Sequence, residues 1–200
     1  MANDLTRRHF LTSGALGVGL MLAAPALALT ESSARQLVDN LIGDINRVIA
    51  SGKSANAMYA DFERIFAKYA DVPTIAQYTL GVDGRSASAA QKRAFNEAFR
   101  GYIARKYGKR FREFIGGQIE VQGVSREKSY YVVRTTAVLK GTSPFILDFQ
   151  VSDRSGRELF FNMKFEGVNL LLTERTEIGS MLDRRGGNID QLIADIRRAG

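Results

Sequence analysis

Carboxylates are the chain's largest stock of groups able to move protons. Asp148, Asp153, Glu158, Glu166, Glu174 and Glu177 all fall in its C-terminal half. Two of them at a fixed separation would suit glycoside hydrolysis. No spacing in the sequence fixes such a pair, and Asp148, among Phe145, Leu147 and Phe149, could face either water or a cavity. The rest of the catalytic repertoire is thin. The single His is His9, and Cys and Trp are absent. That removes disulfides, thiolate zinc sites, iron–sulfur clusters, a cysteine nucleophile and a lipid-modified N-terminal Cys. No G-x-S-x-G elbow, G-x-G-x-x-G turn or phosphate-binding P-loop occurs. What is abundant is apolar and cationic: 12 Phe, 7 Tyr, and 28 Lys plus Arg against 21 Asp plus Glu. The expectation is therefore a binding protein and not an enzyme, with a carboxylate-based enzyme as the alternative.

Residues 1–28 read as an export signal. Arg7-Arg8 precede Phe10-Leu11 and a Gly- and Ala-rich apolar run from Ser13 to Leu29, and Ala26-Leu27-Ala28 offers the small residues of a signal-peptidase site. The paired arginines are similar to the twin-arginine signal of bacteria, with Thr12 where Lys is frequent. The run is too short and Gly-rich for a membrane span, which takes about 20 predominantly apolar residues. Removing residues 1–28 removes His9, so the expected mature domain, 29–200, has no histidine base and no imidazole metal site. Loss of Asp4, Arg7 and Arg8 lowers the formal charge from +7 to +6. For an exported chain nucleic acid is a poor partner, and anionic lipid or acidic protein faces are better ones.

The elements that must position these groups follow from periodicity. Residues 32–50 carry Leu37, Leu41, Ile45, Val48 and Ile49 as one helical stripe, and residues 54–70 repeat the pattern with Met58, Phe62, Ile65, Phe66 and Tyr69. Pro73 breaks the second helix, and a short helix follows over 74–78. Ser88 and Gln91 form a capping box for a long helix ending at Gly116-Gly117, with Phe95, Phe99, Tyr102, Ile103, Tyr107, Phe111 and Phe114 along one stripe. Its other face holds Lys92, Arg93, Arg100, Arg105, Lys106, Lys109, Arg110 and Arg112 against Glu97 and Glu113, a surplus equal to the whole +6. Residues 118–124, 129–140, 145–153 and 158–166 then alternate with a period of two and are joined by short turns. Helices return over 175–182 and after Asn188, which Gln191 follows at capping distance. Helices, a meander of about four strands, and helices again make one α+β domain: a curved antiparallel sheet packed against N-terminal and C-terminal helices.

An aromatic-rich core of this kind is either filled or open as a cleft for an acyl chain, since each buried methylene is worth about 0.8 kcal/mol. Periodicity does not separate the two. Several segments together resemble one family. Tyr78-Thr79-Leu80-Gly81, with Gln91, Phe95 and Phe99 at their spacing, is similar to the first half of the MlaC (toluene-tolerance) proteins. Tyr131-Val132-Val133-Arg134-Thr135 resembles the central strand of that family, residues 144–151 the next one, and Phe165-Glu166-Gly167-Val168-Asn169-Leu170 with Arg175 its Glu-Gly-Val-Ser-Leu segment and following Arg. Glu158, Asn162, Asn169 and Glu174 stand where the family usually has Trp, Asp, Ser and an aromatic residue.

The resemblance, over residues 35–198, implies a periplasmic carrier of a Gram-negative bacterium that binds phospholipid without a cofactor. Such a carrier holds acyl tails in a pocket between a curved sheet and helices. It shuttles lipid between an outer-membrane lipoprotein complex and an inner-membrane ABC transporter bearing a membrane-anchored ring protein. On that basis Tyr78, Leu80, Phe95, Phe99, Val133, Phe149, Phe161, Met163, Phe165 and Val168 are tail-pocket candidates, with Phe161, Met163 and Phe165 expected to share one face. Arg134 and Arg175 are headgroup or rim candidates, and Arg100, Arg105, Lys106, Lys109 and Arg110 a docking face. The expected state is a monomer. Another apolar ligand, hopanoid-like or hydrocarbon, is the alternative cargo.

Overall fold

The computed structural model describes residues 28–111, 117–139 and 141–200. The expected signal, but for its last residue, lies outside them, as do Arg112, Glu113 and Phe114 and the side chain of Arg110. The chain runs α1 (Glu31–Ile49), α2 (Ala55–Tyr69), α3 (Val72–Leu80), a 3-10 turn (Asp83–Arg85), α4 (Ala89–Phe111), β1 (Gln118–Glu127), β2 (Tyr130–Val138), β3 (Phe145–Ser152), β4 (Leu159–Phe165), β5 (Val168–Asn169), α5 (Leu170–Asp183) and α6 (Ile189–Arg198).

Local chemistry starts these helices. Thr30 and Ser33 cap α1 reciprocally, as Ser88 and Gln91 cap α4. The Asp71 side chain accepts from the Thr74 N–H at the start of α3, where Pro73 in the first turn needs no hydrogen bond of its own. Two boundaries differ from the sequence reading. The helix expected from residue 175 begins at Leu170, because the Asn169 side chain accepts from the Leu172 N–H and caps it. The two residues before it pair with β4 as a fifth strand.

The five strands lie in the order β1-β2-β3-β4-β5, all antiparallel. The first half of β4 is closed off by the α2–α3 junction, where the Asp71 N–H donates to the Phe160 carbonyl at 2.8 Å. One sheet face carries Val133, Thr135 and Ala137 of β2 with Leu147, Phe149 and Val151 of β3, all buried. Helices α1, α3 and α5 lie against the sheet, while the chief neighbours of α4 are α2, α3 and α6. The α4 aromatics therefore pack in a layer of helices. Phe95 stacks on Phe99 with centroids 5.7 Å apart, and both are fully buried.

Candidate functional site

Strand register sorts the tail candidates. Phe149 pairs with Met163 and Leu147 with Phe165, so Met163 and Phe165 share the helix-covered face. A bulge between Gln150 and Val151 then leaves Phe161 without a partner and moves Phe160 onto that face, where its ring meets Phe149 edge-on at 5.8 Å. Phe161 points to the opposite face and packs edge-on against Tyr130 at 5.4 Å. The expected triplet of Phe161, Met163 and Phe165 is thus split, since a bulge reverses side-chain parity for part of a strand.

The other candidates fall into two sets. Leu80, Phe95, Phe99, Val133 and Phe149 are buried in the core, and Met163 is half-buried against it. Tyr78, Phe165 and Val168 are exposed at 41%, 38% and 56%, large values for such side chains. They lie at one end of the molecule. The β4–β5 turn brings Phe165 and Val168 together, α5 follows at once with Leu172 half exposed, and Arg175 stands one turn later. Arg175 donates to the Tyr78 carbonyl at 3.0 Å and lies over the Tyr78 ring at 4.9 Å, which ties α5 to α3. Gly81 is required there: its φ is +62°, and a Cβ would stand 3.0 Å from the Arg175 guanidinium. Val82, just after α3, adds exposed apolar surface, and Ile146 is exposed on the far face of the sheet.

Val82, Ile146 and Leu172 escaped the sequence reading. Leu172 had a signal, the run Leu170-Leu171-Leu172, but placing the helix start at residue 175 left it outside any face.

Arg134 lies on the far face of the sheet, where two hydrogen bonds of 2.9 and 3.1 Å hold it to Asp148. That fork keeps the guanidinium protonated even more firmly than usual, first through the hydrogen bond and then through the charge. It also engages the carboxylate singled out for catalysis.

The cations of α4 are largely engaged within the chain. Arg100 bonds Glu63 at 2.8 Å. Arg105 donates to the carbonyls of Ile196 and Ala199, and Lys109 to that of Gly200, at the end of α6 where carbonyls lack helical partners. Lys106 donates to Glu174 at 2.7 Å, to Glu177 at 2.5 Å and to the Tyr102 hydroxyl at 3.0 Å. Tyr102 in turn donates to Glu177, and Tyr107 to Glu174. Burial lowers the pKa of Lys106, but its hydrogen bonds to Glu174 and Glu177 outweigh that and raise it. Burial and the Glu177 hydrogen bond push Tyr102 far up, so it stays a neutral donor. Glu177 is raised by burial and lowered more by Lys106 and Tyr102, ending below its ordinary value. In the expected docking face of α4, Arg100, Arg105, Lys106 and Lys109 are thus each bonded to groups of the same chain. Sequence alone hid this, because the partners lie 37 to 94 residues away.

Four positions that depart from the family pattern also make hydrogen bonds. Glu158 accepts from Ser33, Asn162 joins Gln150 and the Leu171 N–H, Asn169 caps α5, and Glu174 anchors Lys106. Among the described residues no helix is long and apolar enough to cross a membrane, and no three metal-ligating side chains converge.

A solved structure of the phospholipid-binding protein from Ralstonia solanacearum, in complex with a phospholipid, shares this fold. It aligns at a TM-score of 0.69 and 18% identity, over 82% of this chain and 98% of that one. The family described as MlaC protein matches residues 35–198, nearly all of the described chain, and on that match the chain belongs to the MlaC family.

Proposed function

We propose that this chain is a phospholipid carrier, holding acyl tails in the apolar interior between the sheet and helices α1, α3 and α5. The observation that carries the reading is the coincidence of MlaC membership with a core that reaches solvent at the Tyr78–Phe165–Val168–Leu172 rim. The likeness to a protein solved with a phospholipid bound supports it. Tails enter where α3 and α5 are joined by one exposed guanidinium, and Leu80, Val133, Phe149 and Met163 line the depth beyond. Burial of methylenes supplies the affinity at about 0.8 kcal/mol each, so no catalytic group is needed.

Residues 1–28 direct export to the periplasm through the twin-arginine route in this proposal. There the carrier, a monomer, moves lipid between an inner-membrane ABC transporter with its membrane-anchored ring protein and an outer-membrane lipoprotein complex. Native mass spectrometry of protein purified from the periplasm, with lipid extraction of the same sample, tests the carrier reading. A diacyl phospholipid mass on the polypeptide is the expected result. A hopanoid-like or hydrocarbon mass would replace the cargo, and a bare polypeptide that stays bare after incubation with phospholipid vesicles would overturn the reading.

A further inference from the structure

Cations outnumber carboxylates around a depression of about 320 Å³ between the end of α1 and α2. Its walls carry Arg47, Lys53, Arg64 and Lys68, and Val48 and Ile65 supply apolar surface. Among the described residues two carboxylates serve these four cations. Asp44 holds Arg47, Lys68 at 2.9 Å and the Tyr69 hydroxyl at 2.6 Å. Asp61 holds Arg64 and, at 2.7 Å, Lys53. Each carboxylate balances one cation and leaves one over.

The vertical order matters as much as the count. Side chains of Asp44 and Asp61 are 14% and 7% exposed, whereas those of Arg47, Arg64 and Lys68 are 74%, 76% and 61% exposed. Negative charge therefore lies at the floor, and the donors left over by each carboxylate project outward around a concavity. Two or three carboxylate side chains on a protruding segment would reach both the projecting donors and the concavity between them, whereas a planar bilayer would meet the donors alone. Val48 and Ile65 give their methylenes an apolar contact.

We propose that the α1–α2 depression is a docking site for an acidic segment of a protein partner. The rim described above belongs to α3, β4, β5 and α5, so a partner seated on α1 and α2 leaves it uncovered. This deepens the carrier reading and rests on it, since it names the surface by which the carrier is held while lipid passes at the rim. The attraction is electrostatic and rim-exposed, which makes docking fast, reversible and salt-sensitive.

The test is fluorescence anisotropy of a labelled hexaglutamate peptide titrated with the full purified protein, with a hexaglutamine peptide as control. Two double variants remove the same charge: Arg47→Gln with Arg64→Gln in the depression, and Arg154→Gln with Arg157→Gln on the exposed β3–β4 loop. The depression variant should weaken hexaglutamate binding about tenfold, and the loop variant less than about twofold. Raising NaCl from about 0.05 M to about 0.5 M should abolish the difference. Equal weakening by both variants, or no hexaglutamate binding by the unaltered protein, would overturn the proposal. So would stronger competition by phosphatidylglycerol vesicles or by inorganic phosphate than by unlabelled hexaglutamate, which would assign the site to lipid headgroups or to free anions. Lipid occupancy of the same samples is read by native mass spectrometry, so loss of docking and failure of the carrier reading are separate results.

Discussion

Helix α5 is held on its two flanks by seams of opposite chemistry. Towards α4 the seam is a half-buried polar cluster in which Lys106 alone contacts Glu174, Glu177 and Tyr102, and Glu174 is 3% exposed. Towards α3 it is a packed apolar contact edged by the Arg175 guanidinium on the Tyr78 carbonyl and ring, where Tyr78 and Leu172 reach water. Breaking the first strands charge in low dielectric, whereas losing the Arg175 bond at the edge of the second exchanges a surface hydrogen bond for water. The comparison teaches which seam depends on charge. The polar seam ties α5 to α4 through Lys106, and the apolar seam packs α5 on α3.

Substitutions should rank in that order. Lys106→Met should cost the most, about 3 kcal/mol by urea unfolding, because it leaves Glu174 buried without its partner. Adding Glu174→Gln should restore part of the loss, and a cost below about 1 kcal/mol would break the contrast. Gly81→Ala should cost about 1–2 kcal/mol, since a side chain at φ +62° is strained and meets the Arg175 guanidinium.

Acid should attack the α4–α5 seam before the apolar one. The folded pKa of Glu177 lies below its ordinary 4.5, so its stabilisation is complete above that value and lost as pH falls through the lower folded value. Thermal scans across this window should show the midpoint falling, and Glu177→Gln should flatten the slope. Arg175→Ala should have the smallest effect on stability, at most about 1 kcal/mol, as befits an exposed contact. Its larger effect should be on lipid: dissociation of a fluorescent phospholipid should be faster than from the unaltered protein.

Much of this was legible in local patterns and little of it in distant ones. The Ser88–Gln91 box and the Asn188 cap mark helix starts because cap and partner lie three residues apart, and both form. The alternation in 118–166 fixes the meander because short turns permit only antiparallel neighbours. The cap at Asn169 was masked by the strand-like residues around it. Phe161 was misplaced because no residue type announces a bulge in β4. The long α4 stripe identified Phe95 and Phe99 as buried, but which element they meet is set by how α4 packs on α2, α3 and α6. Charge was read least well, since whether Lys106 is solvated depends on carboxylates about 70 residues downstream.

The most direct test of the account uses a phospholipid carrying a photoreactive group near the end of one acyl chain. After loading, irradiation and digestion, peptide mass spectrometry should place adducts on segments containing Leu80, Val133, Phe149 or Met163, with shallower probes labelling Tyr78, Phe165, Val168 or Leu172. Adducts confined to α1 and α2, or spread evenly over the surface, would contradict a tail path that begins between α3 and α5.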